Sequence, residues 1–104
     1  MKKNIDKIVN HTLMSERSLE RYLAERVTEL GGLCMKYHNP SHIGFPDRIC
    51  ILPGGITKWV ELKSTGRTAR PIQQIRIDQL ERLGHYARVC DSREAIEEVL
   101  RDEV

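Results

Sequence analysis

The sequence predicts an α/β domain whose elements follow the order αβββαβα. Two observations carry that expectation. Three segments repeat apolar residues at the three-and-four spacing of a helix with one buried stripe, and four shorter apolar segments between them are bounded by turn residues, as strands are. The chain of 104 residues has the size of one domain, and no internal repeat, low-complexity tract or linker divides it.

A polar arm is expected over residues 1–14, with a single domain over 15–104. Ser15 is placed to cap a first helix whose apolar stripe is Leu19, Tyr22, Leu23, Val27 and Leu30, and Gly31-Gly32 ends it. Residues 33–38 read as a short strand, Asn39-Pro40-Ser41 as a loop, and 47–52 as a strand apolar on both faces. Pro53-Gly54-Gly55 is a turn, 56–63 the returning strand, and 64–70 a basic loop containing glycine. Pro71 suits a first helical position, and the helix it opens carries Ile72, Ile75, Leu80 and Leu83 before Gly84 stops it. Residues 86–90 form the last strand. Asp91 or Ser92 then caps a helix with Ala95, Ile96, Val99 and Leu100 inward.

Hydrophobic residues make up 39% of the chain, enough for a core. No apolar run approaches the roughly 20 residues that span a bilayer, and the polar start lacks a signal-peptide stretch, so a soluble, cytoplasmic protein without membrane contact is expected. Cys34, Cys50 and Cys90 are too widely spaced for a zinc knuckle or a disulfide framework and read as reduced packing residues. The net charge of +2 is small. Its distribution is not even: residues 58–88 hold seven Lys or Arg against three acids, and 91–104 hold two against six. A basic face beside an acidic tail suits a polyanion, although scattered solvated charge would look the same.

The hairpin carries the chemistry. Pairing outward from Gly54-Gly55 sets Asp47 within one position of Glu61, and directly opposed side chains have Cβ atoms about 4.5 to 5.5 Å apart. Two carboxylates that close repel unless a cation lies between them, and hard oxygen ligands suit Mg²⁺ or Mn²⁺. Alternation puts Lys63 on the face of Glu61 and turns Leu62 away, leaving its carbonyl to complete a coordination sphere. Two acids, a metal and an ammonium suit phosphodiester hydrolysis, in which no nucleophilic side chain is needed. Glu-x-Lys alone is a common pattern on an exposed strand; Gly44-Phe45-Pro46-Asp47 one hairpin upstream is what gives it weight.

Pro46-Asp47, thirteen residues, then Glu61-Leu62-Lys63 resembles the PD-(D/E)XK nuclease signature. With Gly31-Gly32, Asp47-Arg48, Pro53-Gly54-Gly55 and Pro71-Ile72-Gln73 added, the pattern is similar to the VRR-NUC (virus-type replication-repair nuclease) family from about Ser15 to Leu100. The resemblance implies a restriction-endonuclease-like core with a mixed sheet flanked by helices, a divalent metal at Asp47, Glu61 and the Leu62 carbonyl, and Lys63 as the catalytic lysine. It also implies a glutamate on the first helix, matched best by Glu20 with Glu16 as the alternative, and a glutamine that maps to Gln73. Arg70 stands where many members have serine.

Arg67, Arg70 and Arg76 follow the catalytic strand closely enough to reach phosphates, and Lys36 precedes the motif loop. His38 and His42 have a chelating spacing for a helix, but Pro40 argues for a loop, where His42 would face DNA. Trp59 shares the face of Glu61 and reads as a core aromatic before a stacking platform. The size of the chain leaves little beyond a nuclease core, so recognition of DNA shape is expected, with no nucleotide cofactor. Branched DNA, and a homodimer resolving four-way junctions with paired cuts, is the favoured expectation. Flap or non-specific cleavage, and a DNA-binding module that does not cut, are the alternatives.

Overall fold

A computed structural model describes residues 13–102. Residues 1–12 of the expected arm and 103–104 at the acidic end lie outside the described residues. The elements are α1 (Glu16–Glu29), β1 (Leu33–Lys36), β2 (Arg48–Leu52), β3 (Ile56–Leu62), α2 (Pro71–Arg82), β4 (Tyr86–Cys90) and α3 (Arg93–Arg101), in the expected order. The strands form one mixed sheet ordered β1-β2-β3-β4. The first three run antiparallel, and β4 returns parallel to β3 after α2 crosses over.

Capping fixes where the helices begin. The Ser15 hydroxyl accepts the Ser18 backbone N–H at 3.0 Å, and the Ser92 hydroxyl accepts that of Ala95 at 3.0 Å. Of the two residues open as the last cap, Ser92 therefore holds the place. Asp91 instead accepts the Gly66 N–H at 3.1 Å and helps anchor the basic loop.

Leu19, Leu23 and Val27 of α1 and Ile96 and Val99 of α3 pack with Cys50, Val60, Leu62 and Cys90 on one face of the sheet. On the other face Ile77 and Leu80 of α2 meet Ala87, Trp59, Val89 and Phe45. Trp59 is thus a packing aromatic. The expected stripe of α2 is corrected here: Ile75 and Leu83 are exposed, and the buried positions are Gln73, Ile77 and Leu80. Ile75 lies about 200° around the helix from Gln73, so the face that carries a glutamine toward the sheet carries Ile75 away. Leu30, where α1 ends, is exposed as well. Leu33, Met35 and Ile51 of β1 and β2 also remain exposed.

One polar side chain crosses the larger core. Lys58 is 1% exposed, and its Nζ donates to the Val99 carbonyl at 2.5 Å and the Asp102 carbonyl at 2.6 Å while lying over the Tyr86 ring. It ties β3 to the last turn of α3, whose carbonyls have no partner within the helix. Among the described residues, no helix is long and apolar enough to cross a membrane.

Candidate active site

The turn at Gly54 and Gly55, with φ of +85° and +74°, closes the hairpin on Leu52↔Ile56, and the ladder runs to Arg48↔Val60. One step further along the same register sets Asp47 opposite Glu61. Strand alternation sends Val60 and Leu62 into the larger core and Glu61 to the face of α2. There Asp47 Oδ1 and Glu61 Oε1 are both buried, with no hydrogen-bond partner among the described residues. Lys63 Nζ stands 3.7 Å from Glu61 Oε2. Gln73, in the first turn of α2, donates from Nε2 to the same oxygen at 3.2 Å. Its Oε1 accepts the Arg70 backbone N–H at 2.8 Å, so the cap of the helix fixes which way the amide points.

Burial raises the Glu61 carboxyl to about 7, helped by the charge of Asp47 and opposed by Lys63. Burial also raises Asp47, with Arg48 pulling the other way. Two desolvated carboxylates with one orphaned oxygen each need either a proton or a cation, and that donor set fits a hard divalent ion. Among the described residues no group of three or more His, Cys, Asp or Glu side chains is placed to hold a metal. An ion here would therefore rest on Asp47, Glu61 and the Leu62 carbonyl, with water or substrate oxygens completing its shell, as Mg²⁺ commonly does.

The pair opens into a cavity of about 280 Å³ lined by Arg70 and Gln73 on one side and by residues of the β1–β2 loop, from Tyr37 to Phe45, on the other. That loop is built to hold its shape. Asn39 Oδ1 accepts the Ser41 and His42 N–H groups at 3.0 and 3.2 Å, and its Nδ2 donates to the Tyr37 hydroxyl at 3.0 Å. Arg76 donates from Nε to the Ile43 carbonyl at 2.8 Å and lies over the Phe45 ring. Gly44, at φ +93°, packs so closely on α2 that a Cβ would stand 2.7 Å from Ile72 Cγ1.

Over 82 residues the chain is 37% identical to "Putative nuclease p44" of Acyrthosiphon pisum secondary endosymbiont phage 1, covering 79% of this chain and 88% of that protein. A solved structure described as a VRR_NUC domain matches with a TM-score of 0.76 at 25% identity, over 88% of this chain and 100% of the other. The chain belongs to the VRR-NUC family. No protein-family model matches it. The expected restriction-endonuclease-like core accords with the mixed four-stranded sheet and its flanking helices, and membership of this family makes the chain a nuclease, which implies DNA as substrate.

Within this VRR-NUC domain the structure brings Asp47, Glu61, Lys63 and Gln73 together and places Arg70 and His42 on the cavity. The remaining expected residues stand elsewhere. Glu20 is held by Arg48, whose Nη2 stands 2.5 Å from its Oε2, with Lys36 Nζ 3.7 Å from its Oε1, and its charge adds to the rise of Asp47. Arg48 also donates to the Asp47 carbonyl at 2.9 Å, so Glu20 stands one layer back, steadying the residue that steadies Asp47. Lys36 is the exposed outer member of that pair. Glu16 is exposed on α1, and its charge slightly raises Glu61. Arg76, expected at phosphates, is occupied by the loop and by Gln79. Arg67 is exposed on the basic loop and does not line the cavity. Sequence reasoning missed the bracing roles of Arg48 and Arg76. Arginine spacing looks alike whether the guanidinium meets phosphate or a carbonyl of its own chain.

Proposed function

We propose that this domain is a divalent-metal-dependent, structure-specific DNA endonuclease. The observation that carries the reading is the Asp47–Glu61 pair, two acids opposed across one hairpin, each with a buried oxygen that nothing among the described residues satisfies. A divalent ion bound there would polarise the scissile phosphoryl group and acidify a water. The Asp47 and Glu61 carboxylates would hold their charge toward that ion, and Gln73 keeps Glu61 Oε2 in place. Lys63, mostly shielded and beside Glu61, supplies positive charge for the attacking water or the crowded phosphorus of the transition state. As the water oxygen bonds to phosphorus the bond to the 3′ oxygen breaks, leaving a 5′-phosphate and a 3′-hydroxyl.

Four-way junctions are the substrate class proposed, cut by two copies related by a twofold axis. The described residues hold one such acid pair, and Leu33, Met35 and Ile51 leave an exposed apolar area that a second copy could cover. Four-way junction, flap, splayed-arm and duplex DNAs incubated with Mg²⁺ or Mn²⁺ test the reading. Paired nicks across a junction by wild type, lost in Asp47→Asn, are expected. Cutting confined to flaps would remove the junction assignment, and equal results from both proteins would remove the enzyme reading.

A further inference from the structure

Asp47 and Glu61 line the cavity with one oxygen of each turned away from solvent. Glu61 is 4% exposed, and both orphaned oxygens are closed to solvent. The cavity in front of them measures about 280 Å³, at the small end of ligand pockets and suited to a single nucleotide rather than a stacked duplex. Its outer wall is polar and aromatic together: Tyr37, His38, Asn39 and His42 with Phe45 behind. The opposite wall carries the charge of exposed Arg70 at the start of α2, a helix end suited to phosphate.

This wall is preorganised. Arg76 and Gly44 fasten the loop to α2, and Asn39 fastens it to itself, so the wall keeps its shape before substrate arrives. Tyr37 is braced edge-on against Trp59 and Phe45, at ring separations of 5.2 and 6.3 Å. None of these contacts serves the carboxylates directly. A rigid cleft of nucleotide size, with ring and amide groups on one side and cationic charge on the other, matches a nucleotide lifted out of its stack.

We infer that the wall formed by Tyr37, His38, Asn39 and His42 is a subsite for one unstacked nucleobase next to the cleaved phosphate. The inference rests on the nuclease reading and deepens it: DNA is selected where a base can leave its stack, as at a branch point or mismatch. Extrusion costs a few kcal/mol in paired DNA and least where pairing is already broken. Shape selectivity then follows without any reading of sequence.

The cut site is first mapped on the full chain with the DNA panel and Mn²⁺. In EDTA, 2-aminopurine is then placed in turn at each nucleotide flanking that phosphate. Emission is expected to change severalfold at one position and to stay level at the others. An abasic sugar at that same position should weaken binding roughly tenfold or more, the loss typical of one stacked base. His42→Ala combined with His38→Ala should reduce the emission change while thermal unfolding stays near that of wild type. The subsite is overturned if no flanking position responds and abasic DNAs bind as tightly as intact DNA. Cleavage persisting in that case leaves the nuclease standing, whereas absence of cleavage from every DNA removes the nuclease itself.

Discussion

Asp47 and Glu61 are held in a state that a protein without a partner for them would avoid, and that tension is measurable. The Glu61 carboxyl sits near 7 against its ordinary 4.5, so between those values the folded protein binds a proton that the unfolded chain has released. Without metal, stability is therefore fully present below about pH 4.5 and falls as pH rises toward 7, by on the order of 3 kcal/mol for a shift of that size. Urea unfolding in EDTA across that range should show the decline, and Glu61→Gln should flatten it. With Mg²⁺ or Mn²⁺ the decline should shrink, because an ion takes the place of the proton and binding releases it. The same substitution, like Asp47→Asn, is expected to lower cleavage by at least roughly 10² to 10³, the scale of losing one electrostatic contact to a transition state. Asp47 and Glu61 were legible in the sequence because hairpin pairing is arithmetic. The pairing of Glu20 with the buried guanidinium of Arg48 was not, because a helix position gives the side of the helix but not the partner.

Elements explain how the site keeps its dimensions. The β1–β2 loop has no regular structure across its middle, and three contacts with α2 make up for that: the Arg76 bond to Ile43, the Arg76 ring contact with Phe45, and the seat of Gly44 on Ile72. Gly44→Ala adds a Cβ at positive φ against a packed side chain, so a loss of about 1 to 3 kcal/mol is expected in chemical denaturation. Arg76→Ala should cost less stability than Gly44→Ala yet raise KM for DNA, since it loosens the wall without strain. On the opposite face, Lys58→Met keeps the stem but strands the carbonyls of Val99 and Asp102; about 1 to 3 kcal/mol should be lost, read by thermal or urea unfolding. The order of elements was readable throughout from apolar spacing and turn residues. The stripe of α2 was not: Gln73 occupies a buried place that periodicity assigns to apolar residues, and its reason for being there is Glu61 on β3. Lys58 was equally invisible, since a lysine in a strand ordinarily points to water.

At the scale of the whole molecule, charge and exposed apolar area govern what the domain meets. Arg70 is exposed on the cavity and Arg67 is exposed on the loop before it; with each at a phosphate, Arg67→Gln and Arg70→Gln should each reduce the slope of log affinity against log salt by about one. Sedimentation at rising concentration tests the twofold assembly: a dimer is expected, and Ile51→Lys on the open part of the sheet should shift it to monomer without loss of fold. The acidic and basic halves visible in the sequence said that a polyanion could be met; which arginines remain available depended on contacts that composition does not encode. The alternation of β3 ties these scales together. Val60 and Leu62 fill the core on the side opposite Glu61 and Lys63, so the same seven-residue strand from Ile56 to Leu62 serves as wall of the interior and rail for the acid. Val60→Ala would open space behind that rail, and the spacing of Asp47 and Glu61 would loosen although neither acid had been touched.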